Sequence, residues 1–299
     1  MLALALVALA ATLTIIAPRV MATRTRFRES PRAALIAWQA VAFSGALSAI
    51  AAAPVAATEL GPSSGGPRVA AAIIALAVST LVLASLLVNG HLTGTRLRAA
   101  RRRHRELIDL VGQDPDGEDL RRSALDARAL RVVPHETPTA YCIPGIRGHV
   151  VLTAGTLTNL SDDELTAVIA HERSHLDERH DLVLEYFTVL HQAAPVGLRA
   201  PEALREVTLL IEVMADRAAR RTAGDTALAR ALVALAGGSH PAATLGATEA
   251  GPVGTDATLA RMQLLGRPPA APWRTALVHT FSVAVVAAPF ALIGLALTR

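Results

Sequence analysis

The sequence predicts a mainly α-helical integral membrane protein, in which four transmembrane helices carry a soluble α+β domain between the third and the fourth. Two observations support this fold class. Hydrophobic residues make up 52% of the 299 residues and charged residues only 18%, a balance that is unusual for a soluble domain of this length. The hydrophobic residues also form four long runs, each close to the ~20 residues that a helix needs to cross a bilayer.

The four hydrophobic runs set the expected domain boundaries. They cover about residues 1–18, 33–57, 69–92 and 276–298. The first run lacks the basic residues and the small-residue cleavage site of a secretory signal, so we expect it to remain as a helix. We therefore predict three transmembrane helices in residues 1–92, a soluble domain in residues 93–273 and a fourth helix in residues 274–299.

The distribution of arginine predicts the orientation in the membrane. All 29 basic residues are arginine, and the loop between the second and third runs holds only Arg68. Because cytoplasmic loops are enriched in basic residues, we expect both termini outside the cell membrane and the soluble domain in the cytoplasm. The arginines on the expected cytoplasmic side are Arg19, Arg24, Arg26, Arg28, Arg32, Arg96, Arg98, Arg101, Arg102, Arg103, Arg105, Arg261, Arg267 and Arg274.

The arginine cluster of residues 96–105 has two interpretations. It could bind nucleic acid, but no Phe, Tyr or Trp lies within it, and it directly follows a membrane helix. We therefore expect it to contact anionic lipid of the bilayer, and we expect no direct binding of nucleic acid. The absence of lysine also excludes P-loop and Schiff-base chemistry. The single cysteine, Cys142, excludes an intrachain disulfide.

Within the soluble domain the sequence predicts two short strands followed by a helix. Residues 130–134 and 149–153 have the β-branched composition of strands, and residues 142–148 between them indicate a turn. Ser161 and Glu164 have the spacing of a capping box, so we expect a helix to begin there.

This helix contains the pattern His-Glu-x-x-His at His171, Glu172 and His175. Random placement produces the pattern in about one of seventy chains of this composition. Residues i and i+4 share a helix face, so the two imidazoles can bind one metal ion. Glu172 lies about 100° around the helix and can act as the general base on a water that zinc activates. The alternative is an amphipathic surface helix whose charged residues face solvent.

A catalytic zinc ion needs a third protein ligand. His180 follows His175 by five residues and points elsewhere on a continuous helix, so we expect it to face solvent or to support a ligand without binding the metal. Glu212 and Asp216 interrupt an apolar helical stretch about forty residues later. A buried carboxylate at Glu212 needs a compensating partner, which zinc supplies, and Asp216 can accept the remaining ring N–H of a ligating histidine. The alternative places Glu212 on the solvent side of an ordinary helix.

These motifs resemble those of gluzincin peptidases, which combine His-Glu-x-x-His with Glu-x-x-x-Asp on a later helix. The stretch AYCIPGIRGHVVLTAGTLTNLSDDELTAVIAHERSHLDERHDL, residues 140–182, is similar to the membrane antirepressor peptidases of the BlaR/MecR type. The resemblance covers residues 129–232 by motif and the whole chain by its arrangement of helices. Membrane proteases of the HtpX and CaaX-processing type share both motifs but usually place their helices differently.

The resemblance implies one zinc ion per chain, bound by His171, His175 and Glu212, with Glu172 as general base and acid and Asp216 orienting a ligand. It also implies that the strand near residues 139–141 pairs with an extended substrate. Because the chain ends after the fourth helix without a penicillin-binding sensor domain, we do not expect it to sense beta-lactams itself. The candidates for stabilising the transition-state oxyanion are Tyr141, Tyr186, Arg217 and Arg220.

Three functions follow as hypotheses. The first is an integral-membrane zinc endopeptidase that cleaves a cytosolic protein, for which the resemblance suggests a transcriptional repressor. The second is a membrane quality-control protease of the HtpX type, which would cleave many misfolded proteins. The third is a non-catalytic membrane scaffold or receptor with a relic site. The third hypothesis is disfavoured, because a relic site has no reason to retain the metal ligands together with the general base.

Overall fold

The computed structural model describes residues 1–60, 65–119, 129–145, 148–235, 255–267 and 270–298. The helices are α1 (Leu2–Ala11), α2 (Ala17–Thr23), α3 (Pro31–Thr58), α4 (Gly66–Val111), α5 (Ala154–Asn159), α6 (Asp162–Asp177), α7 (His180–Ala193), α8 (Pro201–Leu235), α9 (Thr255–Leu265) and α10 (Pro272–Leu297). The strands are β1 (Leu130–Val133), β2 (Ala140–Ile143) and β3 (His149–Thr153). The chain forms two compact units, the first from residues 1–93, 186–207 and 269–299 and the second from residues 94–185 and 208–268.

Four helical segments in the described part of the chain are long and apolar enough to cross a membrane. They are Leu2–Thr23, Pro31–Thr58, Gly66–Val111 and Pro272–Leu297. Each overlaps one of the hydrophobic runs, and the first consists of α1 and α2 joined by a π-helical turn, Thr12–Ile16. The domain boundaries and the orientation inferred from arginine stay predictions.

The helix α4 continues past residue 92, where the hydrophobic run ends, and stops only at Val111. The added residues are rich in arginine, alanine and leucine, which favour helix, and they contain no proline that would stop it. The arginine cluster of residues 96–105 therefore lies on a helix.

Large apolar side chains cover the exposed surfaces of α4 and α10. Examples are Ile73, Leu76, Leu87, Leu277 and Val283, each more than half exposed. Soluble proteins rarely expose contiguous apolar surface of this kind, whereas lipid tails cover it favourably. The exposure pattern agrees with helices that lie in a membrane.

The sheet of the second unit has the strand order β1-β3-β2. The strand β1 pairs with β3 in parallel, and β2 pairs with β3 antiparallel, with Ala140 opposite Leu152. The strands predicted at residues 130–134 and 149–153 are confirmed. The turn predicted over residues 142–148 is wrong for Cys142 and Ile143, which belong to β2, because the chain-breaking Pro-Gly pair comes only after them.

The two faces of this sheet contact different parts of the second unit. On one face, Leu130 and Leu152 belong to the same buried core as Leu165, Val168 and Ile169 of α6. On the opposite face, a second buried cluster joins the sheet to the end of α4. Its buried members are Ile108, Tyr141, Ile143 and Val151. Alternate residues of the strands supply the two faces, as the pleat requires.

The helix α6 begins with the predicted capping box, which is confirmed. The Ser161 hydroxyl accepts a hydrogen bond from the backbone N–H of Glu164, and the Glu164 carboxylate accepts one from the backbone N–H of Ser161. The helix ends at Asp177, and Arg179 adopts a left-handed backbone conformation with φ of 52°. The prediction of one continuous helix through His180 is therefore wrong.

Candidate metal centre

The motif helix α6 and the later helix α8 meet through small side chains. Ala167 and Ala170 of α6 belong to one apolar cluster with Ala219 and Ala223 of α8. Because the side chains at this contact are methyl groups, longer side chains beside them on both helices can reach a common point. Ala167 lies one turn before His171 on α6, and Ala219 lies one turn after Asp216 and two turns after Glu212 on α8.

His171, His175 and Glu212 direct donor atoms at one point. The Nε2 atoms of the two histidines are 3.2 Å apart. The Glu212 carboxylate oxygens lie 3.5 Å from Nε2 of His171 and 3.7 Å from Nε2 of His175. Ligand atoms of all three residues lie within 4.8 Å of one another. The structure thus brings together the three side chains that the sequence proposes as metal ligands.

The spacing of these donor atoms fits a zinc ion. Zinc binds imidazole nitrogen and carboxylate oxygen at about 2.0–2.2 Å with tetrahedral geometry, which puts ligand atoms about 3.3 Å apart. The observed separations of 3.2, 3.5 and 3.7 Å are close to this value. Three protein donors also leave a fourth position for water or substrate, as a catalytic zinc site requires.

Asp216 lies where it can fix the orientation of His171. Its Oδ1 is 3.1 Å from Nδ1 of His171, on the side of the ring away from the other ligands. Burial by itself lowers the pKa of His171, but the nearby carboxylates of Asp216 and Glu212 outweigh it and raise that pKa to about 10. Without a cation, both ring nitrogens of His171 are therefore protonated at neutral pH, and the side chain is positively charged.

His175 is buried more completely and is neutral. Burial lowers its pKa to about 3, against the opposing charge of Glu212. Its Nδ1 lies 3.0 Å from Nδ1 of His180, which is only 1% exposed. Of the two positions expected for His180, the one facing solvent is therefore wrong.

Glu172 is buried beside the single cysteine of the chain. Glu172 is 8% exposed, and the thiol of Cys142 on β2 hydrogen-bonds to its carboxylate. Burial raises the pKa of Cys142 well above its usual value, and the charge of Glu172 raises it further. Cys142 therefore stays a neutral thiol, which is a weak metal ligand and a poor nucleophile.

Arg261 of α9 is the residue of this site that sequence reasoning missed. Its guanidinium donates two hydrogen bonds to Asp216, at 2.6 and 2.8 Å, and Nη1 lies 3.1 Å from Oε2 of Glu212. It is separated from Asp216 by 45 positions and is one of 29 arginines, so no local pattern singles it out. Arg261 and the two histidines outweigh the effect of burial and hold the pKa of Glu212 well below its usual value.

The buried charges at the site favour a divalent cation. Glu172, Glu212, Asp216 and Arg261 are each at most 9% exposed. When both histidines are neutral, as metal binding requires, three carboxylates and one guanidinium leave a formal charge of minus two among these four side chains. Buried unbalanced charge is costly, and a divalent cation removes the imbalance. Both alternatives that place the motif residues in solvent are therefore wrong for Glu172, His175 and Glu212.

Two of the four candidates for an oxyanion donor contact other residues of the second unit. The Tyr141 hydroxyl pairs with Nε2 of His104 at 3.0 Å, and its ring packs on the sheet face opposite Cys142. Arg220 donates to the backbone carbonyl of Leu265 at 2.9 Å. The expectations for Tyr186 and Arg217 stay predictions.

Comparison with known proteins agrees with this geometry. A sequence model of peptidase family M48 matches residues 118–280, which are more than half of the chain. A protease HtpX homolog from Sulfurovum sp. (strain NBC37-1) is 36% identical over 66 residues, which are 21% of this chain and 24% of that protein. The chain thus aligns with about a quarter of the curated relative's length, and no solved structure matches it. From the extent of the family match, the chain belongs to peptidase family M48, whose members are zinc-dependent metallopeptidases.

Proposed function

We propose that this chain is an integral-membrane zinc endopeptidase with its active site on α6 and α8. The observation that carries the proposal is the convergence of His171, His175 and Glu212 on one point, with ligand atoms within 4.8 Å. These three side chains hold one zinc ion. Glu172 is the general base, and Asp216 orients His171.

Each residue of the site has a separate role in peptide hydrolysis. A bound zinc ion polarises the scissile carbonyl and makes water nucleophilic at neutral pH. Glu172 takes the proton of the attacking water and passes it to the leaving amine. The carboxylate of Asp216 accepts a hydrogen bond from the Nδ1–H of His171, so that Nε2 of His171 faces the metal. Arg261 balances the charges of Asp216 and Glu212 and keeps both carboxylates ionised.

The strand β2 offers the substrate a backbone to pair with. Within the described residues β2 pairs only with β3, so no described strand occupies its other edge, where an extended peptide could add as a further strand. Cys142 on this strand contacts Glu172, which places the strand beside the general base. A peptide added to that edge lies within reach of the catalytic carboxylate.

The apolar helices and the HtpX-type relative point to a membrane protein. We propose that both termini lie outside, and that the metallopeptidase unit faces the cytoplasm, on the side marked by most of the arginines. The arginine cluster then contacts anionic lipid and not nucleic acid. Two members of the cluster also make contacts within the second unit: Arg101 pairs with Asp181 at 3.3 Å and Arg105 donates to the carbonyl of Pro144.

Two substrate classes are proposed, and each has its own support. A cytosolic transcriptional repressor is the substrate suggested by the resemblance of residues 140–182 to antirepressor peptidases. Misfolded membrane proteins are the substrates suggested by the match to a protease HtpX homolog. The two classes differ in number of targets, because a signalling peptidase cleaves one protein and a quality-control protease cleaves many.

The test is a comparison of protein N-termini in cells that express the wild type or Glu172→Gln at equal levels. New cytosolic termini that depend on Glu172 support the endopeptidase. One dominant terminus favours the repressor, and many termini from membrane proteins favour quality control. Identical sets of termini in the two strains would contradict the proposed activity and leave the scaffold as the surviving hypothesis.

Zinc binding is expected to release about one proton per ion and to weaken as the pH falls. The raised pKa of His171, about 10, means that this residue must lose a proton before it can bind zinc at neutral pH. His175 contributes none, because its pKa of about 3 leaves it neutral. Calorimetric titration with zinc in two buffers of different ionisation enthalpy measures the protons released. A release of zero protons would show that His171 is already neutral.

A further inference from the structure

His180 reaches the metal centre because the chain turns sharply after α6. On a continuous helix a residue five positions after His175 would point about 140° away from it. The helix instead ends at Asp177, Arg179 adopts a φ of 52°, and α7 begins at His180. The turn brings the two imidazoles side by side, with ring centroids 5.0 Å apart and an interplanar angle of 75°.

The contact between His175 and His180 fixes which nitrogens carry protons. Their Nδ1 atoms are 3.0 Å apart, so one of them must donate and the other accept. The Nε2 atom of His175 faces His171 and Glu212 and must keep its lone pair to bind a metal. The proton of His175 therefore lies on Nδ1 and is donated to His180. The proton of His180 then lies on Nε2, which is 3.9 Å from the Glu178 carboxylate.

The two proposed histidine ligands are held in the same way by different partners. Nδ1 of His171 faces the Asp216 carboxylate at 3.1 Å, and Nδ1 of His175 faces His180 at 3.0 Å. Both Nε2 atoms are thereby left free on the side of Glu212. We infer that His180 is a positioning residue, which fixes the tautomer and the ring orientation of His175 for zinc.

The turn that carries His180 is itself anchored. The neighbouring Asp181 is 3% exposed, and its carboxylate pairs with Arg101 of α4 at 3.3 Å. Arg101 also lies 3.8 Å from Glu185, one turn further along α7. A left-handed residue such as Arg179 persists only where the surrounding contacts hold it, and these ion pairs are such contacts.

The inference rests on the proposed zinc site, and zinc affinity of the purified full-length chain in detergent tests it. Affinity is measured by competition with a chelator. His180→Leu removes the acceptor for His175 and is expected to weaken zinc binding about 10- to 100-fold, the usual effect of losing such a partner. His180→Asn keeps an oxygen near the former Nδ1 position, since both atoms are bonded to Cγ, and is expected to recover most of the affinity. His135→Leu, at an exposed histidine of the same unit, is expected to leave the affinity unchanged.

Cobalt substitution separates a positioning residue from a ligand. The visible spectrum of bound cobalt reports the coordination geometry, and it is expected to be the same in the wild type and in His180→Leu. A changed spectrum in His180→Leu would mean that His180 binds the metal and would overturn the inference. Unchanged zinc affinity in His180→Leu would also overturn it, as would equal losses in His180→Leu and His180→Asn. A wild-type chain that binds no zinc would instead overturn the proposed metal site itself.

Discussion

Glu172→Gln is expected to lower the rate of peptide hydrolysis by about 10²- to 10⁴-fold, the usual contribution of a general base. Glutamine has nearly the same shape but cannot take a proton from the attacking water. The zinc content should not change, because His171, His175 and Glu212 are the proposed ligands and remain in place. The measurement is cleavage of an unfolded protein by the full-length chain in detergent, together with the zinc bound per chain.

The matched control for this variant is Glu164→Gln on the same helix. Glu164 accepts the backbone N–H of Ser161 in the capping box, and glutamine serves that position as well as glutamate. Its activity should equal that of the wild type. If Glu172→Gln kept most of its activity, or lost its zinc, the assignment of Glu172 as the base would be wrong.

Arg261→Leu is expected to destabilise the metal-free protein by about 3–5 kcal/mol, as typically follows when one partner of a buried ion pair is removed. The substitution leaves the carboxylates of Asp216 and Glu212 buried without their guanidinium partner. Zinc should recover part of the loss, because the cation compensates Glu212. Thermal unfolding of the full-length chain in detergent, with chelator and then with zinc, measures both effects.

Two other variants serve as controls for the stability measured with Arg261→Leu. Arg261→Lys keeps the positive charge but loses the paired hydrogen bonds to Asp216, so its stability should be intermediate. Arg102→Leu removes an arginine whose side chain is 82% exposed and whose partner is Glu106, four residues on, so its effect should be close to zero. Equal stability of Arg261→Leu and Arg102→Leu would show that Arg261 does not balance the buried acids.

The proposed ligands could be predicted from the sequence because their spacing matches one turn of an α-helix. His171 and His175 are one turn apart, and Glu212 and Asp216 are acids in an apolar stretch, so each pair is visible within a few residues. The capping box at Ser161 likewise depends on two residues three positions apart. The structure adds how the two helices meet, which sequence spacing alone does not give.

What sequence reasoning missed depends on contacts that are distant or on an unusual backbone. Arg261 is joined to Asp216 only by the folding of α9 onto α8, and arginine is too common in this chain to be noticed. The sequence predicts a continuous helix through His180, because a left-handed backbone conformation is uncommon at a residue other than glycine and no glycine lies near Arg179. Cys142 and Ile143 looked like a turn because the Pro-Gly pair next to them dominates the local pattern.

The alanine contact between α6 and α8 also bears on how this chain tolerates amino-acid substitution. Ala167 and Ala219 have no accessible surface, so any bulkier replacement must wedge the helices apart. Even a small separation of α6 and α8 would move the donor atoms of His171 and His175 away from those of Glu212, although none of the three residues had changed. Ala167 and Ala219, which carry no reactive atom, would then tolerate substitution as poorly as the histidines.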